Sequence, residues 1–457
     1  MSQFTAGTPP SELRRQLGLG TATSVVVANM IGAGIFTTTG LILAGVGSGW
    51  VVMLCWLLGG LVALCGALCY AELATMMPRA GGEYVYLREI YGPLAGFLTG
   101  WISFFAGFSA PIAASAVACA AYLGAAGILP TGGWAKRGTA VAIVSIFTLL
   151  HYRGVKLGAR VQNTLTAVKV LLLVGLVAVG FLRGNGSGSY LSKQSGFWAA
   201  GNWSQIGFAM LLVMFAYSGW NASVYLAEEI KEPQKNLPRS LLLGTVLVMG
   251  IYLAVNLLFF FAAPTAALRG VTAVGEVAVR GLFGAKAATV LSAMISLLLL
   301  SSLSAYLLIG PRVYYAMARQ GLFFQAAARI HPGFETPGLS ILAQGGCAVL
   351  LILTGTFEQL LTYIGFALGI FPWMTVAGLL RLRVREPQRE RPYRVWGYPT
   401  VPLIYLAASA SILGVAFWNR PIPSLFAILT VAAGVPAYLV TARQKPTSGG
   451  ITPSHQG

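Results

Sequence analysis

From Gln16 to Ala71 the chain carries no Asp, Glu, Lys, Arg or His. A bilayer core about 30 Å thick takes about 20 apolar residues per helical crossing, so this one stretch is long enough for two. Ile90 to Ala135 is equally free of charge, and comparable runs cover 194–227, 241–268, 287–311, 336–357, 359–380, 395–419 and 421–442. Hydrocarbon offers no partners for backbone N–H and C=O groups, so segments that cross it must satisfy themselves as helices or closed barrels. Runs this long and this uninterrupted predict helices. Only 9% of the residues are charged, against roughly 25% in soluble domains.

The reading is an all-α polytopic membrane protein with twelve transmembrane helices, near 17–43, 49–76, 93–124, 137–152, 161–183, 203–229, 240–262, 286–311, 337–355, 359–380, 398–418 and 422–441. The first run is too long for a secretory signal and lacks a small-residue cleavage site. The Gly- and Tyr-rich segment 78–92 is expected on the cytoplasmic side, 184–196 as an external turn, 264–285 as a surface hairpin and the tail 442–457 as disordered.

A net charge of +18 raises the question of nucleic acid, but its distribution answers differently. With twelve spans, 21 of the 30 Lys and Arg fall on the side of the termini, 8 on the other, and Lys169 on neither. Cytoplasmic loops carry such an excess. Both termini, 1–16 and 442–457, are therefore placed in the cytoplasm and the protein in the cell (inner) membrane, with membrane lipids around it and no nucleic-acid partner. The Arg cluster 381–394 belongs to this pattern, with contact to anionic lipid as an addition. Trp50, Trp101 and Trp418 are read as interface anchors or packing. Glu72 and Glu83, near the cytoplasmic ends of helices, are read as solvated or salt-bridged at the surface, with a gate as the alternative.

Five cysteines lie inside predicted helices, and His151, His331 and His455 are dispersed. No spacing fits a zinc site, no HExxH or paired carboxylates appear, and no disulfide, metal, cofactor or enzymatic activity is expected.

Two predicted helices share a fault. The first contains Asn29-Met30-Ile31-Gly32-Ala33-Gly34-Ile35-Phe36 and the sixth Phe215-Ala216-Tyr217-Ser218-Gly219-Trp220-Asn221. Each places small and polar residues in mid-span. One opens a group of five helices (17–183) and the other opens the next five (203–380), with 398–441 appended. Five is odd, so the groups run oppositely through the membrane, the arrangement of a five-plus-five inverted repeat with discontinuous helices 1 and 6 and a site at the breaks. A half-helix beginning at a break offers N–H groups and a positive dipole end to a carboxylate. A half-helix ending there offers carbonyls to an ammonium. Both in one cavity suit a small zwitterion, of which an α-amino acid is the simplest. Close helix packing is the competing use of such glycines.

Lys169 lies within the apolar run 161–182. An intramembrane lysine costs at least about 2.5 kcal/mol on insertion scales and marks a cavity or a partner. Its ammonium is expected against carbonyls of helix 1 and hydroxyls of helix 8, where Ser301, Ser302 and Ser304 are on offer; snorkelling to the surface is the alternative.

At these residues the chain resembles the amino acid–polyamine–organocation superfamily, near the L-type amino acid transporters and their bacterial relatives. The resemblance rests on GAGIF (32–36), FAYSGWN (215–221) followed by EEIKEPQKNLPRS, PRAGGEYVYL (78–87) and RVQNTLTAVK (160–169), and covers about 12–440. It implies that backbone amides of Ala33 and Gly34, beside Gly32, bind a substrate carboxylate. It implies that Met30, with Ile31 adjacent, and Phe215, Ala216 and Ser218 offer carbonyls to the amine, and that Phe215 is an aromatic gate. Lys169 would stand where sodium binds in sodium-coupled relatives, so Lys169, Ser301 and Ser304 are the coupling candidates. The resemblance then implies a sodium-independent amino acid exchanger working by alternating access, or a proton-coupled symporter. A polyamine carrier would need an acidic group at the cavity, and a transport-fold sensor would be expected to carry a signalling domain. Ala33 replaces a usual Ser, and Ser218 a common Gly. Loop 125–136 has no Cys, so no disulfide-linked heavy subunit is expected. Phe366 and Tyr306 are candidates for side-chain selectivity.

Overall fold

The computed structural model describes residues 13–129, 132–192, 203–271, 273–354, 357–419 and 421–443; residues 1–12 and the tail 444–457 lie outside them. The described residues are helical, with no strand beyond one bridge joining Leu17 to Ile230. In chain order the helices are α1 (Leu19–Met30), α2 (Gly34–Val46), α3 (Gly49–Met76), α4 (Glu83–Tyr91), α5 (Pro93–Ile102), α6 (Ala110–Ala125), α7 (Gly133–Tyr152), α8 (Val155–Arg183), α9 (Ser189–Ser192) and α10 (Trp203–Tyr217). There follow α11 (Pro233–Ala262), α12 (Thr265–Leu268), α13 (Val274–Phe283), α14 (Ala285–Arg319), α15 (Gly338–Thr354), α16 (Phe357–Arg385), α17 (Thr400–Asn419) and α18 (Pro421–Arg443). Among the described residues, seven helical runs are long and apolar enough to cross a membrane, and shorter apolar helices accompany them. The protein is a multi-pass membrane protein.

Both predicted faults are real interruptions. α1 ends at Met30, where Ile31 turns extended (φ −77°, ψ 90°), and α2 restarts at Gly34. α10 ends at Tyr217, the turn 218–221 follows, and the chain resumes as a 3-10 helix over Ala222–Glu229. Gly219 there has φ +98°, and a Cβ on it would lie 2.9 Å from the Asn29 carbonyl carbon. Only glycine both adopts that conformation freely and lets the second break lie against the first. Between α5 and α6 the helix loosens into a π segment, Ser103–Ser109, a distortion common at functional sites.

Several boundaries differ from the sequence reading. α8 begins at Val155 rather than 161, because Gly154 (φ 152°) makes the turn immediately before it. α7 begins at Gly133 rather than 137, and α14 runs on to Arg319 past Pro311. Segment 264–285 is no surface hairpin. It forms α12 and α13, which bury Leu268, Val274, Ala278, Val279 and Leu282, and the Gly270 amide donates to Gly40 O at 2.8 Å. Its apolar residues recur at helical spacing, which a hydropathy window long enough for a span averages away.

Several charged residues are core components, Glu72 among them, which is salt-bridged as one of its two expected roles had it but buried. Glu72 is fully buried and receives Arg383, Arg391 and the Val395 amide. Part of the Arg-rich link is thereby folded onto α3 rather than left to lipid. Glu229 and Arg312, each about 1% exposed, form a two-pronged pair at 2.7 and 3.0 Å. Trp101 donates to Thr430 O at 3.2 Å and packs inside, whereas Trp50 and Trp418 are exposed.

Removing one partner of a buried ion pair strands the other charge at a cost of about 3–5 kcal/mol. Glu229→Ala is therefore expected to lower the thermal unfolding temperature of the detergent-solubilised protein sharply. Exchanging both partners for apolar residues, as in Glu229→Leu with Arg312→Met, should recover much of the loss. A Glu229→Ala protein as stable as the parent would remove the pair from the stabilising framework.

Candidate functional site

Two hydrogen-bonded staples hold the first break open. Lys169, fully buried on α8, donates from Nζ to Ile31 O at 2.6 Å, to Ala28 O at 3.2 Å and to Ser302 Oγ at 2.8 Å. Ser302 in turn donates to Ile31 O at 2.8 Å. A lysine ammonium has three hydrogens, matching its three acceptors here. Lys169 does not snorkel; it supplies donors to carbonyls that the end of α1 leaves without helical partners. The second staple was not anticipated. Tyr252, buried on α11, brings its hydroxyl to 2.5 Å from Met30 O and 2.9 Å from Ala216 O, one acceptor in each break. No sequence signal distinguishes this tyrosine from others on apolar faces.

The serine assignments need correction. Ser301 contacts Thr166 Oγ1 at 3.4 Å, and Ser304 lies 2.9 Å from His151 Nε2. Neither bonds the Lys169 amine. Successive helical residues point about 100° apart, and Ser302 is the one whose direction meets α1.

A cavity of about 70 Å³ lies where the breaks face each other. Its wall includes Met30, Gly32, Ala33 and Gly34 from the first break, Phe215, Ala216 and Ser218 from the second, and Ser302 and Tyr306 from α14. At roughly 10–15 Å³ per water on this measure, it holds a small polar molecule. Ile31 is not in its wall; its carbonyl is turned to Lys169. A second cavity of about 130 Å³, bounded by Glu83, Ser103, Phe108, Asn221 and Tyr225 among others, adjoins the first. Asn29, Phe215, Ser218 and Tyr306 belong to both, so the ring of Phe215 stands at the partition. The side chain of Phe366 lies outside the described residues.

The polar groups free to meet a solute differ in part from the expected set. The amides of Ala33, Gly34 and Ile35 open the first turn of α2, where no helical carbonyl reaches back to them, and the helix dipole adds positive potential. Most of the expected carbonyls are engaged: Met30 O by the Gly32 amide at 2.9 Å, Ile31 O by Lys169, Phe215 O by the Ser218 amide and hydroxyl at 3.1 and 2.7 Å, and Met30 O and Ala216 O share the single Tyr252 hydroxyl hydrogen. The unpaired acceptor is a side chain. Asn29 spends its amide nitrogen on Val25 O at 2.8 Å, and its Oδ1 is buried without a partner. A buried orphan acceptor on a cavity wall calls for a donor from a ligand or water. The amides of Ala33 and Gly34 give the cavity donors, and Asn29, whose buried Oδ1 has no partner, belongs to the same wall. Among the described residues no cluster of His, Cys, Asp or Glu could hold a metal ion.

The family model described as amino acid permease matches residues 17–435. The Asc-type amino acid transporter 1 of Mus musculus is 30% identical over 442 residues, 95% of this chain and 83% of that protein. The large neutral amino acids transporter small subunit 2 of Homo sapiens is 30% identical over 441 residues, 94% of this chain and 80% of that one. The serine/threonine exchanger SteT of Bacillus subtilis is 30% identical over 448 residues, 96% of this chain and 99% of the exchanger. Family and relatives are permeases, not enzymes. With a family match that spans both breaks and nearly every helix, the chain belongs to the amino acid permeases of the amino acid–polyamine–organocation superfamily.

Proposed function

We propose that the protein is a secondary transporter of α-amino acids that works by alternating access as a sodium-independent exchanger. The observation that carries this reading is the 70 Å³ cavity between the breaks, lined by Ala33 and Gly34 at the start of α2 and by Asn29, whose buried oxygen has no partner. A carboxylate at the α2 N-terminus is stabilised by amides and dipole together, and an ammonium finds its acceptor at Asn29. The relatives, a serine/threonine exchanger among them, point the same way. Gly32 and Gly34 leave the backbone bare to the substrate, and Phe215 closes over it toward the second cavity. Sodium independence follows from Lys169, whose ammonium fills the space between Ala28, Ile31 and Ser302 that a cation would take. In this reading twelve spans form two inverted groups of five plus two, with both termini in the cytoplasm of a cell (inner) membrane. Loop 125–136 offers no cysteine for a disulfide-linked subunit.

A polyamine carrier is disfavoured on a revised ground. A carboxylate does face the neighbouring cavity, but Glu83 already accepts bonds from Tyr70, Asn221 and Tyr225, and a polyamine needs more than one such group.

Purified protein in liposomes preloaded with amino acid is expected to take up external amino acid far faster than empty liposomes, with or without sodium. Equal uptake by empty liposomes under an inward proton gradient would replace exchange by symport, and no flux in any arm would refute the function. Lys169→Ala removes three hydrogen bonds at about 1 kcal/mol each and should slow exchange at least about tenfold while the protein still reaches the membrane. A Cβ on Gly34 would lie 2.9 Å from that of Ala216. Gly34→Ala is therefore expected to raise the half-saturating substrate concentration about tenfold, at an overpacking cost of about 1–3 kcal/mol; unchanged saturation would move the site elsewhere.

A further inference from the structure

Glu83 stands at the start of α4, only about 5% exposed, on the wall of the larger cavity. Its Oε1 accepts from the Tyr70 hydroxyl at 2.7 Å and from Asn221 Nδ2 at 2.6 Å. The two donors come from different parts of the molecule. Tyr70 is fixed in α3, packed edge-on against Trp220 at 4.7 Å. Asn221 closes the second break and caps the 3-10 helix, receiving the Val224 amide on its carbonyl. The carboxylate thus ties the break to the α3 and α4 side of the cavity.

Among the described residues no cation pairs with it. The arginines of neighbouring helices are committed elsewhere: Arg383 to Glu72, Arg312 to Glu229, and Arg381 over the ring of Tyr91. The titratable groups that face Glu83 are tyrosines alone, Tyr70 on α3, Tyr86 on α4, Tyr225 on the 3-10 helix and Tyr405 on α17. Tyrosine is neutral near pH 7. An acid with neutral neighbours, hydrogen-bonded to a hinge and open to a cavity, can gain and lose a proton without breaking an ion pair.

We propose that Glu83 is a proton-binding residue that controls the second break. Ionised, its carboxylate holds Asn221 and the 218–221 turn against α3 and α4; protonated, it accepts more weakly and lets the turn move. The proton comes from and returns to water in the larger cavity. Burial pushes the carboxyl up to about 7, with the bonds from Tyr70, Asn221 and Tyr225 opposing the rise, so both forms are populated near neutrality. Because the turn must move for the breaks to exchange partners, protonation speeds the cycle.

The transport readout of this inference rests on the exchanger reading; a spectroscopic one does not. Difference infrared spectra of the purified protein between about pH 5 and about pH 9 should show a protonated-carboxyl band that vanishes near pH 7 and is missing from Glu83→Gln. In liposomes with equal pH on both sides, exchange should rise about tenfold from about pH 8 to about pH 6, following the protonated fraction of such a group. Glu83→Gln, which mimics the neutral acid, should run at the acid-side rate throughout. Glu83→Asp should keep a titration with a shifted midpoint, which guards against a Gln variant that fails to fold. A band unaffected by Glu83→Gln, or exchange in that variant with the parental midpoint, overturns the assignment. So does a midpoint that shifts on adding methylammonium at constant ionic strength, which would make the carboxylate a ligand for organic cations. If the parent protein carries no amino acid, the infrared arm still decides whether Glu83 titrates.

Discussion

Backbone groups inside hydrocarbon must find partners, and at the two breaks the helix no longer supplies them. The rest of the site depends on how that debt is met. Lys169, Ser302 and Tyr252 take the carbonyls at the end of α1, Tyr252 reaches across to the second break, and the Ser218 side chain turns back to Phe215. Among the side chains of the two breaks, the Asn29 oxygen is buried without a partner. The cavity is polar only where partners run out, and apolar or filled elsewhere. In the proposed reading, binding by backbone groups would recognise what all α-amino acids share and leave the side chain to the walls.

Much of this was legible in the chain because the controlling signals are local. A run without charge is a span, and a Gly cluster in mid-span is a break; both readings need only neighbouring residues. Lys169 was visible for the same reason, since a single charge in an apolar run marks a cavity or partner unless it snorkels to the surface. What escaped notice depended on residues far apart. Tyr252 looks like any aromatic on a buried helix until α1 and α10 are placed on either side of it. Three serines lay within one turn of α14, and only the helix's rotation chose Ser302. Asn29 belonged to the recognised fault, but its role follows from where its other atom is spent. The short helices α12 and α13 fell between the two length scales used to read the sequence, too polar for a span and too apolar for a loop.

The acidic residues were legible only in part: Glu72 is salt-bridged, one of its two expected roles, but buried instead of lying at the surface. Glu72, Glu83 and Glu229 sit at predicted helix ends, where solvent is the ordinary surrounding. All three are buried, and they are buried differently. Glu72 and Glu229 are matched by arginines distant in sequence, so they act as fixed pins between segments. Glu83 is matched by neutral donors. The same residue type therefore serves as a lock in two places and as a titratable group in the third. The difference lies wholly in what the fold brings beside it.

Tyr252 carries one hydroxyl hydrogen, yet two carbonyls lie within its reach. At any instant one break holds that hydrogen and the other does not. The carbonyl left without it is the stronger acceptor, so a hydrogen handed to Met30 sharpens Ala216, and the reverse. The two breaks are thereby placed in rivalry for a single atom, and in the proposed reading an arriving ammonium would enter that contest as a third party. A phenylalanine at this position would fill the same space and end the rivalry. Selection here would act on one oxygen rather than on a ring.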